Sequence, residues 1–104
     1  MSNWIRVASL PELPEETGKE VVVENRVVAL FRVGESVFAL DGICLHAGGP
    51  LAKGKLSGHV VTCPWHGWQY DVTSGEHCLN KNLCATPFPV EVRGDDVFIC
   101  LDSR

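Results

Sequence analysis

Two short segments of the chain each pair a cysteine with a histidine. Cys44 and His46 are separated by one residue, Cys63 and His66 by two, and sixteen residues lie between the two pairs. Cysteine thiolates and neutral imidazoles are ligands of both zinc and iron. Zinc fingers group their ligands as a cysteine pair and a histidine pair. The mixed order instead favours a two-iron cluster, with both cysteines on one iron and both histidines on the other.

Glycine is frequent around these candidate ligands. Gly48 and Gly49 follow the first pair, and Gly67 follows the second. Because glycine has no side chain, the backbone at these positions can come close to a bound group. Backbone amides could then approach the bridging sulfides of a cluster, where hydrogen bonds tune its properties. A structural zinc site, or four residues with no shared role, are the alternatives that the residue types alone leave open.

Composition narrows the classes of protein to consider. The 104 residues predict one domain, 1–104, with 45% apolar and 21% charged residues, as in ordinary globular proteins. The net charge is −4, and no Lys/Arg-rich run indicates binding to nucleic acid or an anionic membrane. No apolar stretch approaches the length of a membrane span, and the first residues do not resemble a signal peptide. These features predict a soluble, cytoplasmic protein.

The remaining cysteines and histidines have no ligand spacing to the two pairs. A count of five cysteines is odd, and cytoplasmic thiols stay mostly reduced, so metal binding is the first interpretation. Cys78 and Cys84 lie in a polar segment and could be free thiols, a disulfide or a second metal site. Cys100 is expected to be a small buried apolar residue. His59 and His77 are expected to be ordinary polar positions.

Short β-strands separated by turns are the dominant pattern. No segment shows a sustained 3.6-residue apolar period, so long helices are not expected. Turns are predicted at Gly34-Glu35, Thr73–Gly75 and Gly94-Asp95, and Asp41–Gly58 is predicted to be rich in loops. The pattern predicts an all-β sandwich or barrel. The predicted strands are 4–8, 21–23, 26–33, 36–40, 59–63, 69–72, 88–93 and 96–101.

The segments CLHAGGPL (44–51) and CPWHGWQYD (63–71) resemble the ligand loops of the Rieske family. The resemblance implies one [2Fe–2S] cluster, bound by Cys44 and Cys63 on the inner iron and by His46 and His66 on the outer iron. It also implies an all-β fold, a Rieske-type β-sandwich or partly open barrel, with a small cluster-binding subdomain, about 41–71, inserted between strands. The residues expected around the cluster are Gly48, Gly49, Trp65, Gly67, Trp68 and Tyr70.

The sequence departs from the high-potential members of that family. Those proteins carry an extra cysteine in each ligand loop, where this chain has Gly49 and Trp65. They also carry a hydroxyl donor at the position of Trp68, whereas Tyr70 keeps the position of a tyrosine that donates to a ligand sulfur. With one donor fewer, the reduced cluster is less stabilised. We therefore predict a midpoint potential in the lower part of the Rieske range of roughly −150 to +300 mV.

The resemblance implies a small ferredoxin that takes one electron from a flavin-containing reductase and passes it to a terminal oxygenase. The alternative is the small subunit of an assimilatory nitrite reductase, which is similar in size and fold. An enzyme is not expected, because a mononuclear iron site needs two histidines and a carboxylate. The two remaining histidines, His59 and His77, have no nearby patterned carboxylate to complete such a site. The chain is therefore predicted to bind no small-molecule substrate.

Overall fold

The computed structural model describes residues 4–13, 18–42, 51–64, 67–76, 78 and 87–100. Within those ranges the chain forms antiparallel β-strands and two single 3₁₀ turns, Leu10–Glu12 and Leu51–Lys53, with no α-helix. The all-β prediction is confirmed. The strands are β1 (Trp4–Ser9), β2 (Gly18–Val23), β3 (Arg26–Val33), β4 (Ser36–Asp41), β5 (Lys55–Ser57), β6 (Val60–Thr62), β7 (Gln69–Asp71), β8 (Pro87–Phe88), β9 (Val90–Arg93) and β10 (Asp96–Cys100).

The strands form three open sheets rather than a closed barrel. A central sheet has the order β2-β3-β4-β8, an outer sheet the order β1-β10-β9, and a small sheet the order β5-β6-β7. None of the helical turns in the described ranges is long and apolar enough to cross a membrane.

The central sheet is buried on both faces. Successive side chains of a strand point to opposite faces, so Val28 and Leu30 face the outer sheet while Ala29 and Phe31 face the small sheet. All four side chains are fully buried. This two-sided burial explains why β3 reads as a continuous apolar run instead of an alternating one.

The small sheet is an insertion between two neighbouring strands of the central sheet. Ala39 and Leu40 of β4 pair with Phe88 and Pro87 of β8, although β5, β6 and β7 lie between them in the sequence. The chain thus leaves the central sheet, builds the small sheet and returns beside the point of departure. The predicted insertion between strands is confirmed.

Two details of the predicted strands were wrong. Lys55–Ser57 forms β5, within a stretch that was predicted to be loop. Its three residues carry no strand pattern of their own, and they form a strand because they pair with β6. The predicted strand 88–93 is divided at Pro89 into β8 and β9, which belong to different sheets. Proline has no N–H for a sheet ladder, so it suits a point where the chain changes sheet.

Tight turns close the hairpins. Gly34 and Gly94 have φ values of 61°, which a residue with a side chain adopts only with strain, so the predicted turns at 34–35 and 94–95 are confirmed. The β2–β3 hairpin instead uses Glu24 and Asn25, at φ 50° and 68°. Positive φ is uncommon for glutamate, although asparagine adopts it more readily, and no turn was predicted at this hairpin.

Candidate metal centre

Cys63 lies at the end of β6 and is only 1% exposed. Its N–H donates to the Trp68 carbonyl oxygen at 2.7 Å, and the preceding pair, Thr62 and Gln69, joins β6 to β7. The segment CPWHGW therefore begins and ends on paired strands. Within it, Pro64 and Gly67 are exposed. The arrangement buries the cysteine at the base and leaves described parts of the loop accessible to a partner.

The backbone angle of Gly67 favours glycine at this position. Its φ is +74°, and an added methyl group would meet no atom within 4 Å among the described contacts. A side chain would be strained at this φ. The close approach of this backbone to a cluster, which the sequence indicates, stays a prediction.

The residues that flank the first ligand segment, Gly42 and Leu51, are both held by backbone hydrogen bonds. The Gly42 N–H donates to the Val27 carbonyl oxygen, and the Leu51 N–H donates to that of Gly42, both at 2.9 Å. Leu51 is fully buried in the same apolar cluster as Cys63. The bases of both segments are therefore anchored in the core between the small and central sheets. Leu51 was not singled out in the sequence, where it is one apolar residue after a proline.

Tyr70 and Trp68 line the same side of the small sheet as Cys63. Tyr70 is fully buried with Cys63 in that core, and Trp68 is partly buried and packs against it. Both residues therefore share a core with Cys63, and their predicted place around the cluster stays a prediction. Trp68 supplies both a packed side chain and the carbonyl that closes the loop.

Several predicted site residues lie outside the described residues. These are Cys44, His46, Gly48, Gly49, Trp65 and His66. Their roles stay predictions.

The other cysteines fall at separate places. Cys100 is 2% exposed in β10, as predicted, whereas Cys78 is exposed and its N–H donates to the Gln69 carbonyl at 2.9 Å. Cys63, Cys78 and Cys100 are not joined to one another by a disulfide. Cys84 lies outside the described residues, so the predicted alternatives for Cys78 and Cys84 stay open.

Asp71, at the end of β7, is a carboxylate that accepts hydrogen bonds and has a histidine neighbour. It accepts hydrogen bonds from the Thr73 N–H at 2.9 Å and the Thr73 hydroxyl at 2.6 Å, and the His59 Nδ1 lies 3.3 Å away. Burial acts to raise the pKa of Asp71, but the Thr73 hydrogen bonds and His59 outweigh it, so the pKa is lowered. His59 is on the surface, as predicted, and has a carboxylate partner that the sequence did not reveal. His77 lies outside the described residues.

The lowered pKa predicts a pH-dependent contribution to stability. The contribution is fully present above the unfolded pKa of about 3.9 and is lost as the pH falls through the lower folded value. We expect Asp71→Asn to reduce the free energy of unfolding by about 1 kcal/mol or less at pH 7. Urea unfolding of both proteins at pH 7 and pH 3 measures this. The difference should shrink at pH 3, and an equal or larger difference there would contradict it.

The sequence matches one known protein family over most of its length. The Rieske [2Fe–2S] domain model matches residues 3–88, which is most of the chain. The chain belongs to the Rieske [2Fe–2S] domain family. A relative, the ferredoxin component of a naphthalene 1,2-dioxygenase system from Pseudomonas aeruginosa, is 33% identical over 94% of this chain and 95% of its own length.

Solved Rieske structures give the same fold. A chain in a complex of reduced oxygenase and oxidized ferredoxin of carbazole 1,9a-dioxygenase superposes with a TM-score of 0.87 at 27% identity, covering 97% of this chain and 95% of that one. A protein described as the small subunit of a putative NADPH nitrite reductase gives a TM-score of 0.82 at 20% identity, covering 93% and 97%. At that identity the second likeness concerns the fold alone.

The described residues fit a Rieske cluster. A buried cysteine closes a hydrogen-bonded loop, and the base of the other ligand segment meets the same core. A Rieske domain uses thiolate and imidazole ligands, which the two sequence pairs provide. The protein is a ferredoxin that carries one Rieske [2Fe–2S] cluster and transfers single electrons. The cluster supplies the reversible one-electron chemistry, and the protein chain supplies ligation, burial and hydrogen bonds.

Tyr70→Phe tests the contribution of the buried hydroxyl to the potential. The resemblance implies that this hydroxyl donates to a ligand sulfur, and a hydrogen bond to a charged group is worth about 1.5 kcal/mol or more. Because the bond is stronger to the more negative reduced state, its loss should lower the midpoint by up to roughly 59 mV, a tenfold change for one electron. Redox titration of both proteins measures the change and the absolute midpoint of the wild type. An unchanged midpoint would remove Tyr70 from this role.

Proposed function

We propose that Cys44, His46, Cys63 and His66 are the ligands of the cluster, the cysteines on one iron and the histidines on the other. The observation that carries this proposal is the buried position of Cys63 at the base of a hydrogen-bonded loop. The Gly42–Leu51 hydrogen bond, which flanks the first pair, supports it because Leu51 and Cys63 share one core.

The proposed role is transfer of one electron from a flavin-containing reductase to a terminal oxygenase. This role is supported by the relative that is the ferredoxin component of a dioxygenase system and by the structural neighbour found in an oxygenase–ferredoxin complex. The exposed Pro64 and Gly67 in the second ligand loop support it as well. A carrier needs only a small, transient contact surface near its cluster.

The protein is proposed to perform no substrate chemistry of its own. The alignment with the ferredoxin component of a dioxygenase system, which covers 94% of this chain and 95% of that relative, supports this proposal. We further propose that it acts in the cytoplasm as one domain, with its cluster-binding subdomain near 41–71. Membership of a nitrite reductase is the second candidate, suggested only by a likeness of fold.

Reduction and reoxidation by partner proteins test the proposal. The purified holoprotein would be mixed with NADH and the flavin reductase of a naphthalene dioxygenase system, and then with that system's oxygenase. We expect the cluster spectrum to bleach on reduction and to return when the oxygenase is added. If the oxygenase leaves the reduced protein unchanged while a nitrite reductase large subunit binds it stably, the second candidate replaces the first.

A further inference from the structure

The 3₁₀ turn Leu51–Lys53, here called the bridging turn, directly follows the first ligand segment. Gly54, at its end, lies against the backbone of β6. A methyl group added at Gly54 would collide with the carbonyl oxygen of Thr62, the residue immediately before Cys63. A Cβ atom essentially never lies within 3.0 Å of such a neighbouring atom, so only glycine permits this contact.

The opposite side of the bridging turn makes a second contact of the same kind. A methyl group added at Gly18 of β2 would stand 2.5 Å from the carbonyl oxygen of Ala52 and 2.9 Å from the ring of Phe31. The bridging turn is therefore held between the central sheet on one side and β6 on the other. Ala52 and Phe31 are both buried, so there is little free space into which the turn could shift.

Both critical neighbours are backbone carbonyls, which cannot rotate aside as a side chain can. A methyl group at Gly54 must therefore displace either the bridging turn or the end of β6. The first displacement moves the residues that follow Cys44 and His46, and the second moves the strand that leads into Cys63. A cluster shared by two segments depends on the separation between them.

We propose that Gly54 and Gly18 are positioning residues of the cluster site, which set the separation of the two ligand segments through backbone contact with the bridging turn. This inference rests on the ligand set proposed above. Neither glycine has its φ in the positive region, so the reason for glycine here is close approach and not backbone angle.

Gly58 provides a matched control in the same small sheet. It lies in the β5–β6 turn with φ +60°, and an added methyl group would meet no atom within 4 Å. Gly58→Ala therefore strains the turn without pushing on a neighbour. Gly54→Ala does the reverse, because it creates a collision without a forbidden backbone angle.

Three single variants, Gly54→Ala, Gly18→Ala and Gly58→Ala, test the proposal after reconstitution with iron and sulfide. The measurements are iron and sulfide per chain, the rate of cluster bleaching in air, and the EPR g-values of the reduced protein. Circular dichroism and urea unfolding of the cluster-free proteins report on the fold. We expect Gly54→Ala and Gly18→Ala to bleach at least roughly tenfold faster, with altered g-values, as happens when support around a metal site is lost. Gly58→Ala should retain the wild-type g-values even if it unfolds more easily.

Wild-type bleaching and g-values in Gly54→Ala would overturn the inference. The inference would also be overturned if the rate of cluster loss in all three variants simply followed their loss of unfolding free energy. Unfolding of both Gly54→Ala and Gly18→Ala, with Gly58→Ala folded, would assign these glycines to the fold rather than to the site. A wrong ligand set would give a different result from a wrong role for Gly54 and Gly18. In that case the cluster would be retained when Cys63 alone is replaced in the otherwise wild-type protein.

Discussion

Cys63→Ser is expected to abolish binding of the [2Fe–2S] cluster. A serine hydroxyl occupies nearly the same buried space but does not ionise at neutral pH, so it is a much poorer iron ligand than the proposed Cys63 thiolate. Loss of an outer-shell partner costs about 10–100-fold in metal affinity, and loss of a ligand should exceed that. The visible absorption and the EPR signal of the reduced protein should fall to background, and iron analysis should give the same result.

Cys100→Ser is the control for this substitution. Cys100 is buried to nearly the same extent, at 2% against 1% exposed, but it lies in β10 of the outer sheet. Both variants therefore place a hydroxyl in the interior, and only Cys63→Ser removes a proposed ligand. We expect Cys100→Ser to bind a full cluster with unchanged g-values. A full cluster in Cys63→Ser would exclude Cys63 as a ligand.

Phe31→Ala is expected to lower the free energy of unfolding by about 3–5 kcal/mol. The ring is fully buried between the central and small sheets, in the same core as Cys63, and Gly18 packs closely against it. Domains are stable by only about 5–15 kcal/mol, so the variant should lose a large part of its stability. Urea unfolding of the cluster-free protein measures the effect.

Val22→Ala is the comparison for this core substitution. Val22 lies on the edge strand β2 and is 69% exposed, so its truncation should change stability by no more than about 0.5 kcal/mol. A loss below about 1 kcal/mol in Phe31→Ala would mean that the small sheet contributes little to the stability of the core.

The sequence predicted those elements whose signals are local. The hairpin turns at Gly34 and Gly94 combine a glycine with flanking β-branched strands, and both turns are present. β5 was missed because it has three residues and a single buried apolar side chain, Leu56, so only its pairing with β6 identifies it as a strand. Pro89 was visible in the sequence, but the change of sheet at that residue depends on which strands lie next to one another.

The same distinction applies to the site. The spacing of cysteines and histidines identified the chemistry, since ligand types are a property of the residues themselves. The importance of Gly54 and Leu51 was not predictable, because it arises from a contact with Thr62 and a shared core with Cys63. Such contacts join positions that are distant along the chain, and no local pattern records them.

The pairing of β4 with β8 has a consequence for how this architecture can vary. Because Leu40 and Pro87 are paired, the chain departs and returns one strand spacing apart, about 4.8 Å. An inserted segment whose two ends lie on neighbouring strands can be lengthened at small entropic cost, since each doubling of loop length costs only about 0.6 kcal/mol. We therefore expect the frame of two larger sheets to tolerate inserted segments of different lengths between β4 and β8.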